Sequence, residues 1–389
     1  MERATRHLPS EGVPMTQSSQ SEFLWFLQLS RDGEFIGTKN KMPRRPTLPY
    51  LQSLISTAGE AGFDALLTAT NYHSEHENYT AAVAALATTA ATDPALLIAV
   101  RPGMFQPAMY AKMLATLQNL FPGRVRLNIV TGSSPAENAM YGDFEDHARR
   151  YERTREFIQI LRQLWTQPPP QSFKSDIFAF DNAVLDPAPV QPIPIYFGGA
   201  SPVAQGIAAE LADVYLMWGE REDMIRERMA QMQALAEKTG RNLRYGLRTH
   251  VIVRETEAEA RQAAERLISR VDPEVRAAFV ASHAHVDGVG QQRQIDMVKN
   301  LDADLMVEPG LWAGVGMARS GVGVALIGDP GQVAAKIRRY EEMGFSSFIF
   351  SGYPHLEEAR RFGELVMPLL KGGAEDSRAI YTDKVAPVA

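Results

Sequence analysis

Eight short apolar segments alternate along this chain with amphipathic or Ala-rich stretches. The apolar segments are Glu22–Leu29, Asp64–Thr70, Ala95–Val100, Val125–Val130, Ile195–Phe197, Val214–Met217, Leu243–Val253 and Ser346–Ser351. Their hydrophobicity is nearly continuous, which a strand needs when both of its faces are buried. The stretches between them have helical spacing. Phe157, Ile160, Leu161, Leu164 and Trp165 share one helix face, and Ala260, Ala263, Ala264, Leu267, Ile268 and Val271 share another. Buried strands alternating with helices imply a parallel sheet. Eight units in 389 residues favour a single closed (β/α)8 barrel over two open domains. No G-x-G-x-x-G follows the first strand, which argues against a doubly wound dinucleotide fold. The Pro-rich stretch Pro168–Pro194 reads as a hairpin excursion. Residues 272–328 read as a long irregular insertion before the last strand.

Composition narrows the function. The net charge is −6, and a nucleic-acid or anionic-membrane surface would favour a basic excess. The chain contains no cysteine, so disulfides, thiolate metal sites and cysteine nucleophiles are excluded, as a reducing, cytoplasmic location would suit. No apolar run reaches the roughly 18 residues of a membrane span. Residues 1–20 are polar, lack the apolar core of a secretory signal and read as a disordered tail, with Met15 an alternative start. Residues 371–389 read as a second tail.

Barrel enzymes place their chemistry after the C-terminal ends of the strands. The second strand is followed by the polar run Asn71-Tyr72-His73, and the fourth carries Asn128 and ends near Thr131. Asp146-His147 opens the next helix, with Tyr151 one turn on. Gly198-Gly199-Ala200-Ser201-Pro202 follows the fifth strand and pairs a close backbone approach with a helix N-cap. Such a helix end suits a phosphate, and it is equally good turn-and-cap chemistry. Trp218 ends the sixth strand. Arg248 and His250, two apart on the seventh, project to one face. Two cations on a buried face call for an anion. Arg319 is the one charge in the Gly-rich run Leu311–Gly323, the composition of a mobile lid. Tyr353 and His355 follow the last strand. No set of Asp, Glu and His has metal-ligand spacing; His283-Ala284-His285 is treated as solvated.

At this point the chain resembles the bacterial-luciferase-like, flavin-dependent monooxygenases, and within them the alkanesulfonate monooxygenases. The carrying segments are LWFLQLSRDGEFIGT, LNIVTGSSP, IYFGGAS, YLMWGE, YGLRTHVIVRET, GLWAGVGMARSGVGVALIGDP and IFSGYPHLEEA. The resemblance implies reduced FMN delivered by a separate NAD(P)H-dependent flavin reductase. It also implies O2 as co-substrate and a C–S cleavage that releases sulfite and an aldehyde, with no metal, in a homodimer or homotetramer. By position it assigns Ser201, Gly199, His147, Tyr151, Asn128 and Thr131 to the flavin. Arg248, His250, Tyr353 and His355 then carry the chemistry, and Trp218 and Arg319 hold the substrate.

The chain departs from that family in one loop. Alkanesulfonate monooxygenases carry an arginine and a cysteine after the second strand, whereas here the loop reads NYHSEHENY. Asn71, Tyr72 and His73 would be wasted on a plain alkyl chain, since unpaired buried polar groups are penalised. They suggest a hydroxylated sulfonate, with the sulfosugar sulfoquinovose (yielding 6-oxo-glucose) the best candidate. The alternatives are a simple alkanesulfonate or methanesulfonate monooxygenase, an F420-dependent hydride-transfer relative and a non-catalytic flavin-binding protein.

Overall fold

The computed structural model describes residues 21–283, 288–299, 301–319 and 321–372. Eight parallel strands close a barrel. In chain order they are β1 (Glu22–Phe26), β2 (Ala65–Thr68), β3 (Ala95–Val100), β4 (Val125–Ile129), β5 (Ile195–Gly198), β6 (Val214–Trp218), β7 (Arg244–Arg248) and β8 (Phe345–Ile349). Each pairs with its sequence neighbour, and β1 closes the ring on β8. Helices Leu48–Glu60, Asn78–Thr88, Pro107–Leu120, His147–Thr166, Pro202–Leu211, Glu222–Thr239 and Pro330–Glu342 join them, and His355–Leu365 follows β8. The expected (β/α)8 architecture is therefore observed. The Pro-rich excursion is an antiparallel hairpin, Gln171–Lys174 on Ala179–Ala183.

Strand alternation divides the core in two. Trp25, Leu66, Leu127 and Phe197 point outward and pack under the helices. Leu24, Phe26, Leu67, Leu97, Tyr196, Val214 and Ile349 point inward and fill the barrel. The inward face of β7 carries Arg244 at the bottom, Gly246 at mid-height and Arg248 at the top. A Cβ on Gly246 would lie 2.5 Å from Leu216 Cδ2, so the middle layer has room only for hydrogen. At the bottom, Glu22 accepts from Arg126 (2.7 Å) and from Tyr196, and pairs with Arg244 at 3.1 Å. One carboxylate thus ties β1, β4, β5 and β7 together beneath the core.

Two expectations are corrected. The segment Leu243–Val253 is not one strand. Residues up to Arg248 belong to the barrel, whereas His250–Val253 pairs in parallel with Ala325–Gly328 in a second, four-stranded sheet. The break is at Thr249, whose N–H is taken by Ile349 O at 3.1 Å and whose hydroxyl is taken by Val324 O at 3.1 Å. Nor is 272–328 irregular. It contains helices Pro273–His283 and Val289–Lys299, strands Met306–Glu308 and Leu311–Trp312, and a 3-10 turn Gly314–Met317. Its glycines have a packing cause. A Cβ on Gly314 would stand 2.0 Å from the Trp312 ring, and one on Gly323 2.9 Å from Gly316 Cα. Residues 1–20, 284–285 and 373–389 lie outside the described residues, whereas Lys371, expected to open the second tail, ends the helix Met367–Lys371.

Candidate active site

The C-terminal mouth of the barrel opens into a cavity of about 220 Å3. Its walls are inward-facing strand positions and the loops above them. Asn128, Thr131, His147, Tyr151, Gly199, Ser201, Trp218 and Arg248 all line it, so eight residues expected from five separate segments converge. Two helix N-termini meet there. Ser201 caps Pro202–Leu211, its Oγ accepting from Ala204 N at 3.3 Å. His147 begins His147–Thr166, with its ring 4.8 Å from that of Tyr151. Gly199 sits at φ +148°, and a Cβ there would press to 2.5 Å from Ala204 and 3.6 Å from the Tyr151 hydroxyl. The result is a shallow cradle of N–H groups and hydroxyls between two positive helix ends, with the chemistry of a phosphate site. Leu67, Leu216, Ile349 and the indole of Trp218 supply a flat apolar wall beside it. These residues fit a flavin mononucleotide, polar at one end and planar at the other.

Arg248 is 7% exposed and has no carboxylate partner among the described residues. Its guanidinium donates to Thr249 O (2.5 Å) and Ser351 Oγ (2.7 Å) and lies 5.2 Å over the Phe26 ring. Burial, and the charge of Arg319, push it down to about 9 from the ordinary arginine value. Such a cation lacks its anion. His250, in the second sheet, reaches the same serine, with Nδ1 2.7 Å from Ser351 Oγ. Because Arg248 can only donate to that oxygen, the serine proton is left for His250 Nδ1, and the imidazole proton then sits on Nε2. Burial and the flanking arginines hold His250 well below the usual histidine range, so it stays neutral. The shared-face relation between Arg248 and His250 is thus replaced by convergence on Ser351.

Arg319 donates to the Tyr353 hydroxyl. The Tyr353 ring stacks on His250 at 5.7 Å and meets His355 edge-on at 4.8 Å. His355 is fully buried rather than open to the mouth. Its Nδ1 lies 3.0 Å from Asp32 Oδ1, and its backbone N–H donates to Asp32 Oδ2 at 2.9 Å. His250 and Tyr353 wall a larger cavity of about 890 Å3 under the strap of residues 32–44, and neither they nor Arg319 and His355 line the mouth cavity that Arg248 reaches. Asn71, Tyr72 and His73 are exposed. Asn71 Oδ1 accepts from His73 N at 2.8 Å, and Tyr72 packs against Tyr141. The premise that these groups are buried is therefore not met here.

Sequence patterns missed Asp32, Ser351, Glu220, Arg228 and the helix Val289–Lys299. Glu220 is 1% exposed and binds both Arg228 (3.0 Å) and Arg293 (2.7 Å). Gln294 bridges Gly219 O and Gly323 N, both at 2.9 Å, and Gln291 takes Gly321 N at 2.9 Å. One helix therefore fastens the Arg319 loop to the exit of β6. Among the described residues no group of three or more His, Asp or Glu could hold a metal ion, and no helix is long and apolar enough to cross a membrane.

The family profile described as Luciferase-like monooxygenase matches residues 21–347. The chain belongs to the luciferase-like monooxygenase family. Solved structures agree on the fold of this luciferase-like protein. A riboflavin lyase (RcaE) with modified FMN and riboflavin is 18% identical, with TM-score 0.75, covering 90% of this chain and 91% of its own. A long-chain alkane monooxygenase (LadA) is 18% identical, with TM-score 0.73 and coverages of 91% and 92%. An F420-dependent secondary alcohol dehydrogenase with an F420–acetone adduct is 19% identical, with TM-score 0.64 and coverages of 90% and 99%.

Proposed function

We propose that this chain is the oxygenase half of a two-component system that cleaves the C–S bond of an organosulfonate with O2, releasing sulfite and an aldehyde. Membership of a monooxygenase family supports the reaction class. The observation that carries the sulfonate is Arg248, a buried guanidinium without a carboxylate, beside Arg319 and the neutral donor His250. Guanidinium groups match tetrahedral oxyanions bidentately.

Gly199, Ser201, His147 and Tyr151 would hold the FMN phosphate, and Asn128, Thr131 and Trp218 its ring system. Reduced FMN, brought by a separate flavin reductase, supplies the electrons that activate O2. Arg248 and Arg319 orient the sulfonate and offset the charge that grows on sulfur as sulfite departs. His250 Nε2–H offers one more donor. The Arg319 loop, closed on Tyr353, excludes water.

The finer reading is a hydroxylated sulfonate such as sulfoquinovose. It rests on the polar loop Asn71-Tyr72-His73, which follows β2 at the C-terminal end of the barrel and is exposed. A sulfite-release screen with a generic flavin reductase tests both levels. Sulfite from sulfoquinovose in preference to octanesulfonate is expected; preference for octanesulfonate would sink the sugar reading. Turnover that ignores O2 and needs F420 would sink the oxygenase reading.

A further inference from the structure

His250 and His355 flank the same tyrosine, and their partners give them opposite roles. His250 receives a proton at Nδ1 from Ser351, so its own is on Nε2. His355 faces Asp32. That carboxylate is fully buried and already accepts from Gly33 N (2.9 Å), the Tyr50 hydroxyl (2.6 Å) and His355 N (2.9 Å). Arg44 adds a charge 3.5 Å away. Surrounded by donors, the carboxylate has no proton to give, so the contact from Oδ1 to Nδ1 requires the proton on the ring. His355 Nε2 is buried and makes no hydrogen bond. The His355 ring centre lies 4.8 Å from that of Tyr353 and 5.8 Å from that of Phe26, the ring that also carries Arg248. The ionisable groups around it are Asp32, Tyr353 and His250, with Tyr50 and Arg44 behind Asp32.

We infer that Asp32 is a positioning residue that fixes His355 as the Nδ1–H tautomer and leaves Nε2 as the proton acceptor of the site. A carboxylate on the far nitrogen also stabilises the imidazolium that forms. The identity of the proton rests on the function proposed above. Once the carbon bearing sulfur has been hydroxylated, by O2 with electrons from reduced flavin, Tyr353, which lines a cavity as His355 does not, takes the hydroxyl proton and passes its own to Nε2. An oxygen lone pair forms the C=O bond, the C–S bond breaks, and sulfite leaves with its electron pair. Nothing is oxidised or reduced in that step.

The test needs no turnover. Long-range 1H–15N spectra of the full chain, labelled at its eight histidines and assigned with His355→Gln, report which nitrogen carries the proton. His355 is expected to show a protonated Nδ1 and a bare Nε2. Asp32→Asn is expected to move the proton to Nε2 and to lower kcat about 100-fold, the scale of a lost general base, with KM within twofold. Tyr50→Phe, which keeps the carboxylate, retains the wild-type pattern. A wild-type His355 with the proton on Nε2 overturns the inference, as does an Asp32→Asn protein with unchanged tautomer and kcat. If Asp32→Asn does not fold, the wild-type spectrum decides. If the spectrum is as expected and no sulfonate yields sulfite, the proposed function fails and the positioning role stands.

Discussion

Arg248 concentrates the chemistry of this site in one side chain. Its position at the top of the inward face of β7 follows from strand alternation, and its lack of a carboxylate is what calls for an anionic ligand. Arg248→Lys keeps the charge and loses the fork geometry. Sulfite release by that variant is expected to fall by a factor of about 100, with flavin affinity unchanged in a fluorescence titration. The buried position of Arg248 was legible in the sequence because two basic residues stood in an apolar strand. Asp32 was not legible: it is one polar residue in a loop of many, and only the fold brings it to His355, 323 positions away. Ser351 was invisible for the same reason, since a serine after a strand has no signature until two donors converge on it.

At the scale of elements, the helix Val289–Lys299 is the fastener. It was read as irregular because its apolar face is thin and its contacts are polar: Gln291, Arg293 and Gln294 reach backbone or Glu220. Periodicity detects helices that bury apolar stripes, and this one docks by hydrogen bonds and a buried ion cluster. Removing the charge of Glu220 leaves Arg228 buried and unpaired, which costs about 3 kcal/mol. Glu220→Gln is expected to lower the melting temperature and to raise amide exchange in 289–299 above that in the barrel strands. Equal exchange in both regions would show that the helix does not depend on this cluster. Gly314→Ala tests the neighbouring turn. With a Cβ 2.0 Å from the Trp312 ring, it is expected to destabilise the Arg319 loop, seen as greater peroxide leakage per flavin oxidised.

The whole molecule was the most legible level. Eight buried strands spaced by amphipathic helices have few alternatives to a closed barrel, and the closed barrel is what forms. Its bottom adds a stability term of its own. Burial alone would raise the Glu22 carboxyl, but Arg126 and Arg244, with the hydroxyls of Tyr196 and Ser347, outweigh it and hold Glu22 below the usual carboxylate range. A carboxyl depressed by folding stabilises fully above its unfolded value, near 4.5, and loses that contribution as pH falls through the folded value. Glu22→Gln is therefore expected to be less stable than the parent at pH 7 and to lose less of its stability on acidification below about 4.5. Parallel denaturant titrations at both pH values check the sign.

The chain leaves the barrel at Thr249 and returns through Ala325–Gly328, and those two exits are neighbouring strands of one sheet. Everything between them is a crossover that starts beside Gly328 and comes back in beside His250. Such a segment can be exchanged without reopening the ring of eight strands, since the sheet that seals its base stays behind. Arg248 and the phosphate cradle belong to the fixed part, and Arg319 to the exchangeable one. Under the function proposed above, a transplant of residues 254–324 between two such proteins would exchange the Arg319 contact while leaving Arg248 and the residues assigned to the flavin in place.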